Sequence, residues 1–124
     1  MAKRTVLDVG NCGPDHASIK KFITSNFDAE LLQTHGSADT LPLLRQRNVD
    51  LVLINRKLDQ DYSDGVEILR QIKSDAELQH IPVMIITNYA EHQDAAVELG
   101  AERGFGKLEM RDPATIQRLS TILA

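Results

Sequence analysis

The sequence predicts an α/β protein, a doubly wound sheet of parallel strands with helices on both faces. Three observations carry that expectation. Residues 49–55 contain the unbroken apolar run Leu51-Val52-Leu53-Ile54, opened by Asp50 and closed by Asn55. With no alternation of polar residues, such a run reads as a strand covered on both faces, as in the middle of a parallel sheet. Residues 81–87 repeat the pattern, ending on Thr87 with Pro82 near the start, where strands tolerate one. Strand and helix signals alternate five times along the chain, and right-handed crossovers then place helices on both faces.

Each element has its own local cause. Val6-Leu7-Asp8-Val9 is a first strand ending at Gly10-Asn11, and Cys12-Gly13-Pro14 is a turn whose proline suits a helix start. Ile19, Phe22, Ile23 and Phe27 recur at helical steps through residues 15–27. Residues 29–34 form a short strand nearer an edge. Ser37 or Thr40 can cap the next helix, with Leu41, Leu44 and Leu43 turned inward. The later start is preferred because Pro42 would remove a hydrogen bond from a helix begun at Ser37, at a cost of about 3 kcal/mol in a regular interior.

After the central strand, residues 56–64 make a polar, Asp-rich loop. Ser63-Asp64-Gly65 then introduces a helix with Val66, Leu69 and Ile72 on one side. Residues 91–99 form a weakly apolar helix using Ala95, Ala96 and Leu99, stopped by Gly100. A fifth strand lies within residues 101–107 around Phe105. Asp112 and Pro113 open the last helix, whose inner stripe is Ile116, Leu119 and Leu123.

At 124 residues the chain is long enough for one self-sufficient core, so residues 1–124 are read as a single domain. A lone cysteine, Cys12, excludes an internal disulfide, and no run approaches the about 20 apolar residues of a membrane span. Together with the absence of a signal-peptide pattern, this predicts a soluble protein of a reducing cytoplasm. The net charge of −4 and scattered basic residues argue against direct nucleic-acid binding. His16, His35, His80 and His92 lack metal-site spacing and read as surface residues.

In an open parallel sheet the crevice lies at the carboxyl ends of the central strands. Polar residues collect there: Gly10-Asn11, Asn55 and Thr87, with Lys107 after the fifth strand. The motifs VLDVGN, VDLVLIN, SDGVEILRQIK, IPVMIITNYAE and LGAERGFGKL, in this order and spacing, resemble the receiver domain of bacterial two-component response regulators over nearly the whole chain. The resemblance implies a flavodoxin-like (βα)5 fold with strand order 2-1-3-4-5.

It also implies a site. In that family an acidic pair after the first strand binds Mg²⁺, an Asp ending the third strand accepts a phosphoryl group, and a Thr or Ser with a Lys contacts the phosphate. By that match Gly10 and Asn11 stand where the acidic pair would be, and Asn55 stands where the phosphoacceptor would be. Thr87 and Lys107 match their counterparts, Leu108 replaces the usual proline, and Phe105 occupies the aromatic position that reorients between family states.

A carboxamide is neither the nucleophile that forms an acyl phosphate nor a charged ligand for Mg²⁺. No phosphorylation at Asn55, no Mg²⁺ or other cofactor, and no enzymatic activity are therefore expected. Asp8, inside the first strand, needs a partner, and Lys107 or Arg56 is expected to supply it, with a hydroxyl, water or solvent as the alternative. Asp59, Asp61 and Asp64 read as a solvated loop without a calcium pattern.

The resulting expectation is a phosphorylation-independent, receiver-like signalling module of a phosphorelay-type pathway, a pseudo-receiver, acting through a protein partner or a fused output domain. Its interaction face is assigned by analogy to Tyr89, Arg103, Phe105 and Arg111, with Glu91 and His92 beside them. Two rival readings remain open: a phosphorylatable receiver using Asp59 or Asp61, and a small-molecule sensor using the vacated pocket.

Overall fold

The computed structural model describes residues 3–124. Five strands, β1 (Arg4–Val9), β2 (Ala29–Thr34), β3 (Leu51–Asn55), β4 (Val83–Ile86) and β5 (Glu102–Phe105), alternate with helices α1 (Gly13–Asn26), α2 (Ser37–Gln46), α3 (Val66–Ser74), α4 (Ala90–Glu98) and α5 (Pro113–Leu123). The strands form one parallel sheet in the order β2-β1-β3-β4-β5. The expected doubly wound architecture and strand order are both present.

The central run explains the two-layered core. Successive side chains of β3 point to opposite faces, so Val52 and Ile54 join Leu44, Ile68, Leu69 and Ile72 of α2 and α3, while Leu51 and Leu53 join Ile19, Ile23, Leu119 and Leu123 of α1 and α5. All four residues of the run are fully buried. At about 1.5–3 kcal/mol for each large aliphatic side chain, this strand is the main anchor of both layers.

Several local expectations are corrected. Helix α2 starts at Ser37, not near Thr40, and carries Pro42 inside it. Asp39 receives the backbone N–H groups of His35 and Gly36, and the buried Thr40 hydroxyl lies 2.7 Å from that of Thr34 on β2. These tertiary and capping bonds fix the earlier start. The carbonyl deprived of a donor by Pro42 belongs to the exposed Ala38, where water can reach it.

On α3 the buried residues are Ile68, Leu69 and Ile72, with Val66 only partly covered. On α4, Gln93 and Ala96 are buried while Ala95 is exposed. On α5, Thr115 is buried more fully than Ile116. The buried Gln93 has a clear cause: the β4–β5 register shifts between Met84 and Ile86, and its side chain bridges the interrupted ladder. Its amide donates to the Ile85 carbonyl at 2.9 Å and its oxygen accepts the Gly104 N–H at 2.8 Å. A side chain on Gly104 would collide with the Ile85 carbonyl, so glycine is required at this crossing.

Candidate receiver pocket

The strand ends bring together most of the residues expected there. Asn55, at the end of β3, shares a pocket of about 280 Å³ with Thr87, Lys107, Arg56, Lys57, Asn88, Tyr89 and His92. Gly10 and Asn11 do not line that pocket but adjoin it, because the Asn55 side-chain nitrogen donates to the Gly10 carbonyl at 3.2 Å. The same nitrogen donates to the Lys57 carbonyl at 2.8 Å. Both carbonyl oxygens thus receive an amide donor.

Gly10 has a left-handed backbone, φ +77°, and Leu58 lies directly over it. Leu58 is buried because residues 56–65 fold back as a tight loop: Lys57 bridges to Asp64, Leu58 N–H donates to Ser63 at 2.9 Å, and Asp59 N–H donates to the Gly10 carbonyl at 3.0 Å. The apolar side chain therefore occupies the space beside the end of β1. Nothing in the periodicity singled out Leu58, since it is one leucine in an otherwise polar loop.

The expected partner of Asp8 is corrected. Neither Lys107 nor Arg56 pairs with it. Asp8 Oδ2 lies 2.7 Å from His16 Nδ1, and Asp8 Oδ1 accepts the Asn11 amide N–H at 2.5 Å. The two-residue period turns Asp8 to the α1 side of the sheet, the layer of Val6, and His16 sits on the first turns of α1. His16 is accordingly no free surface residue: its side chain is 18% exposed and its partner is fully buried. Burial holds the Asp8 carboxyl above the ordinary range, although the bonds from His16 and Asn11 pull it down and a weaker attraction to Lys107 adds to them.

Lys107 is engaged elsewhere, donating to Asp15 on α1 at 2.8 Å. That bond holds the Asp15 carboxyl below its usual range. Arg56 approaches Asp64 at 3.5 Å, a loose contact between exposed groups. Thr87 is nearly buried; its hydroxyl lies 3.2 Å from His92 Nδ1 and accepts the Tyr89 N–H at 3.3 Å. Both residues matched to phosphate contacts therefore have partners within the chain.

With Nδ2 directed at Asp8, the buried Asn11 Oδ1 has no hydrogen-bond partner. A Mg²⁺ site would find this one neutral oxygen beside an Asp8 carboxylate whose two oxygens are already taken by Asn11 and His16, and the fit is poor. Among the described residues no group of three His, Cys, Asp or Glu side chains could hold a metal ion. Asp59 and Asp61 do not line the pocket with Thr87 and Lys107. The Asp59 carboxylate lies 3.5 Å from His35 Nδ1, and Asp61 accepts from the hydroxyl and backbone N–H of Ser63.

The assigned interaction face is also corrected in part. Phe105 is 1% exposed and meets Phe22 edge-on at a centroid distance of 6.0 Å, so it belongs to the core. Tyr89, Arg103 and Arg111 are exposed, with Arg103 bonded to Asp94 at 2.7 Å. Leu108, 85% exposed, and Tyr62, 72% exposed, also stand on strand-end loops.

A family model of the response regulator receiver domain matches residues 15–112. The chain belongs to that family. The match includes Asn55, Thr87 and Lys107 and begins after Gly10 and Asn11. Among curated relatives, the polar-differentiation response regulators DivK of Brucella ovis and Brucella suis are 34% identical over 65 residues, covering 52% of this chain and 51% of theirs. The chain thus spans about half the length of these relatives.

Solved receiver structures share the fold. The signal receiver domain of a DNA-binding response regulator from Colwellia psychrerythraea 34H superposes with a TM-score of 0.78 at 21% identity, covering 96% of this chain and 97% of that one. The chemotaxis response regulator CheY4 of Vibrio cholerae gives 0.75 at 14% identity, covering 98% and 100%. In the described residues no helix is long and apolar enough to cross a membrane.

Proposed function

We propose that this receiver domain is a pseudo-receiver: a signalling module of a two-component pathway that works through protein–protein contacts without being phosphorylated. The observation that carries the reading is Asn55. It ends β3 with an amide whose nitrogen is spent on the Gly10 and Lys57 carbonyls, so neither a nucleophilic carboxylate nor an open cation site is offered. No enzymatic activity and no Mg²⁺ requirement follow from this chemistry. Similarity to response regulators named for polar differentiation supports a signalling role over the half-length shared. The exposed Tyr89 before α4, Arg103 on β5, and Leu108 and Arg111 between β5 and α5 supply the contact surface for a protein partner.

The decisive experiment is incubation with acetyl phosphate and Mg²⁺ followed by intact mass measurement. An unchanged mass is expected. A gain of about 80 Da that hydroxylamine removes would overturn the proposal and favour an acyl phosphate on Asp59 or Asp61.

A further inference from the structure

We infer that His35 and Asp59 form a proton-operated latch: when His35 takes up a proton, it draws the loop of residues 56–65 onto the end of β1, and when the proton leaves, the loop loosens. The latch uses neither the Asn55 amide nor the cavity beside it, so it stands independently of the pseudo-receiver reading.

The observation that carries the inference is a pair of facing, unbonded polar atoms. His35 Nδ1 and Asp59 Oδ1 are each closed to solvent and each lacks a hydrogen-bond partner among the described residues, yet they lie 3.5 Å apart. With no water to replace the missing bond, both atoms bear the cost of a buried polar group left unpaired. In a neutral His35 ring, Nδ1 turns a lone pair toward the carboxylate or points its N–H at it from beyond the usual reach of about 3.2 Å. A protonated ring donates from both nitrogens, and a charge-assisted N–H···O bond closes to about 2.8 Å. Protonation thus supplies the missing donor and the attraction that shortens the contact.

The two halves of the latch differ in how firmly they are held. His35 follows Thr34, whose buried hydroxyl meets that of Thr40, and the N–H groups of His35 and Gly36 donate to Asp39 on α2. Asp59 belongs to the movable half, since residues 60–64 beyond it are all exposed. Its loop is held over β1 by the Asp59 N–H, which donates to the Gly10 carbonyl at 3.0 Å, and by Leu58 lying on Gly10. A closer His35–Asp59 pair reinforces that bond. It also steadies Tyr62, 72% exposed at the tip of the loop.

Other charged groups near the pair are committed elsewhere. Asp39 is bonded to the backbone N–H groups beside the His35 ring. On the loop, Asp61 accepts from Ser63, Asp64 approaches Arg56 at 3.5 Å, and Lys57 lies 5.9 Å from the Tyr62 ring. On β1, Asp8 is turned to α1 and bonded to His16 and Asn11. An imidazole ordinarily gains its proton at about pH 6.5, above the range in which ordinary carboxylates titrate.

The test is amide hydrogen exchange of the ¹⁵N-labelled protein between about pH 7.5 and about pH 5.5, with each rate corrected for the intrinsic pH dependence of exchange. Protection of the Asp59 amide is expected to rise about 5-fold on acidification, while amides in the middle of β1 and β3 change little. In His35→Gln and in Asp59→Asn that rise should vanish, with the protection of β1 and β3 retained as evidence that each variant is folded. Both variants keep Asp8 and His16, so a rise that persists in them belongs to that other pair and overturns the latch. Flat protection of the Asp59 amide in the native protein overturns it without any variant. No phosphoryl donor is present in this measurement, so a mass gain with acetyl phosphate bears on the pseudo-receiver reading alone.

Discussion

Leu58 closes over Gly10: a Cβ built on Gly10 would overlap the Leu58 Cδ2 and come within 3.3 Å of its Cα. With φ at +77°, the position combines a left-handed backbone and a filled neighbourhood. An acidic side chain placed there would meet Leu58 and a left-handed backbone. Gly10→Asp is expected to lower stability by about 1–3 kcal/mol, from backbone strain plus displacement of Leu58. Urea unfolding measures it, and the double change Gly10→Asp/Leu58→Ala should relieve the steric part while exposing its own loss of apolar burial.

The buried Asp8 gives a pH-dependent prediction with a defined sign. Its carboxyl is raised in the folded state, chiefly by burial, so the folded protein holds its proton to higher pH than the unfolded chain does. Stability contributed by Asp8 is therefore greatest below the unfolded value of about 3.9 and is lost as pH rises through the folded value. The unfolding free energy of the native protein minus that of Asp8→Asn should increase as pH is lowered from neutrality towards that value. Taking the difference cancels groups common to both, such as Asp15 and Asp75, whose lowered pKa values act in the opposite direction. A flat difference across the range would remove this account of Asp8.

Gln93 ties α4 to the irregular edge of the sheet through three bonds, to Ile85, Thr87 and Gly104. Gln93→Leu keeps much of the volume but strands the Gly104 N–H and two carbonyls without partners. A loss of about 2–4 kcal/mol is expected. Hydrogen exchange should show the Gly104 amide losing protection before amides in β1 and β3 do.

Pro42 lies inside α2, where it leaves the Ala38 carbonyl without its helical donor. Pro42→Ala restores that donor, while the more flexible unfolded chain takes back part of the gain. The net expectation is stabilisation by about 1–2 kcal/mol, read as a higher melting temperature. A fall in melting temperature would mean that Pro42 makes native contacts worth more than the lost bond.

The order of elements was legible because it depends on local patterns. Two unbroken apolar runs, Leu51–Ile54 and Val83–Ile86, could only be strands covered on both faces, and the helices between them carried spaced apolar residues. The amide at Asn55 was legible too, since a side chain's functional group is a matter of covalent identity. The expected pairing of Asp8 was wrong because charge alone named Lys107 and Arg56, whereas strand direction decided which helix Asp8 would face. Analogy counts Phe105 in the interaction face, whereas a core or half-exposed packing role also fits its residue type, and its contact with Phe22 puts it in the core.

The amino-acid sequence by itself determined the sheet, its central strands and the carboxamide at position 55, because period and covalent chemistry act over a few residues. Only the tertiary structure decided that Leu58 would cover Gly10, that His16 would meet Asp8, and that Asp15, 92 residues away, would hold Lys107. Those pairings depend on where a loop folds back and which layer a helix joins. Such relationships exist only once the chain is closed upon itself.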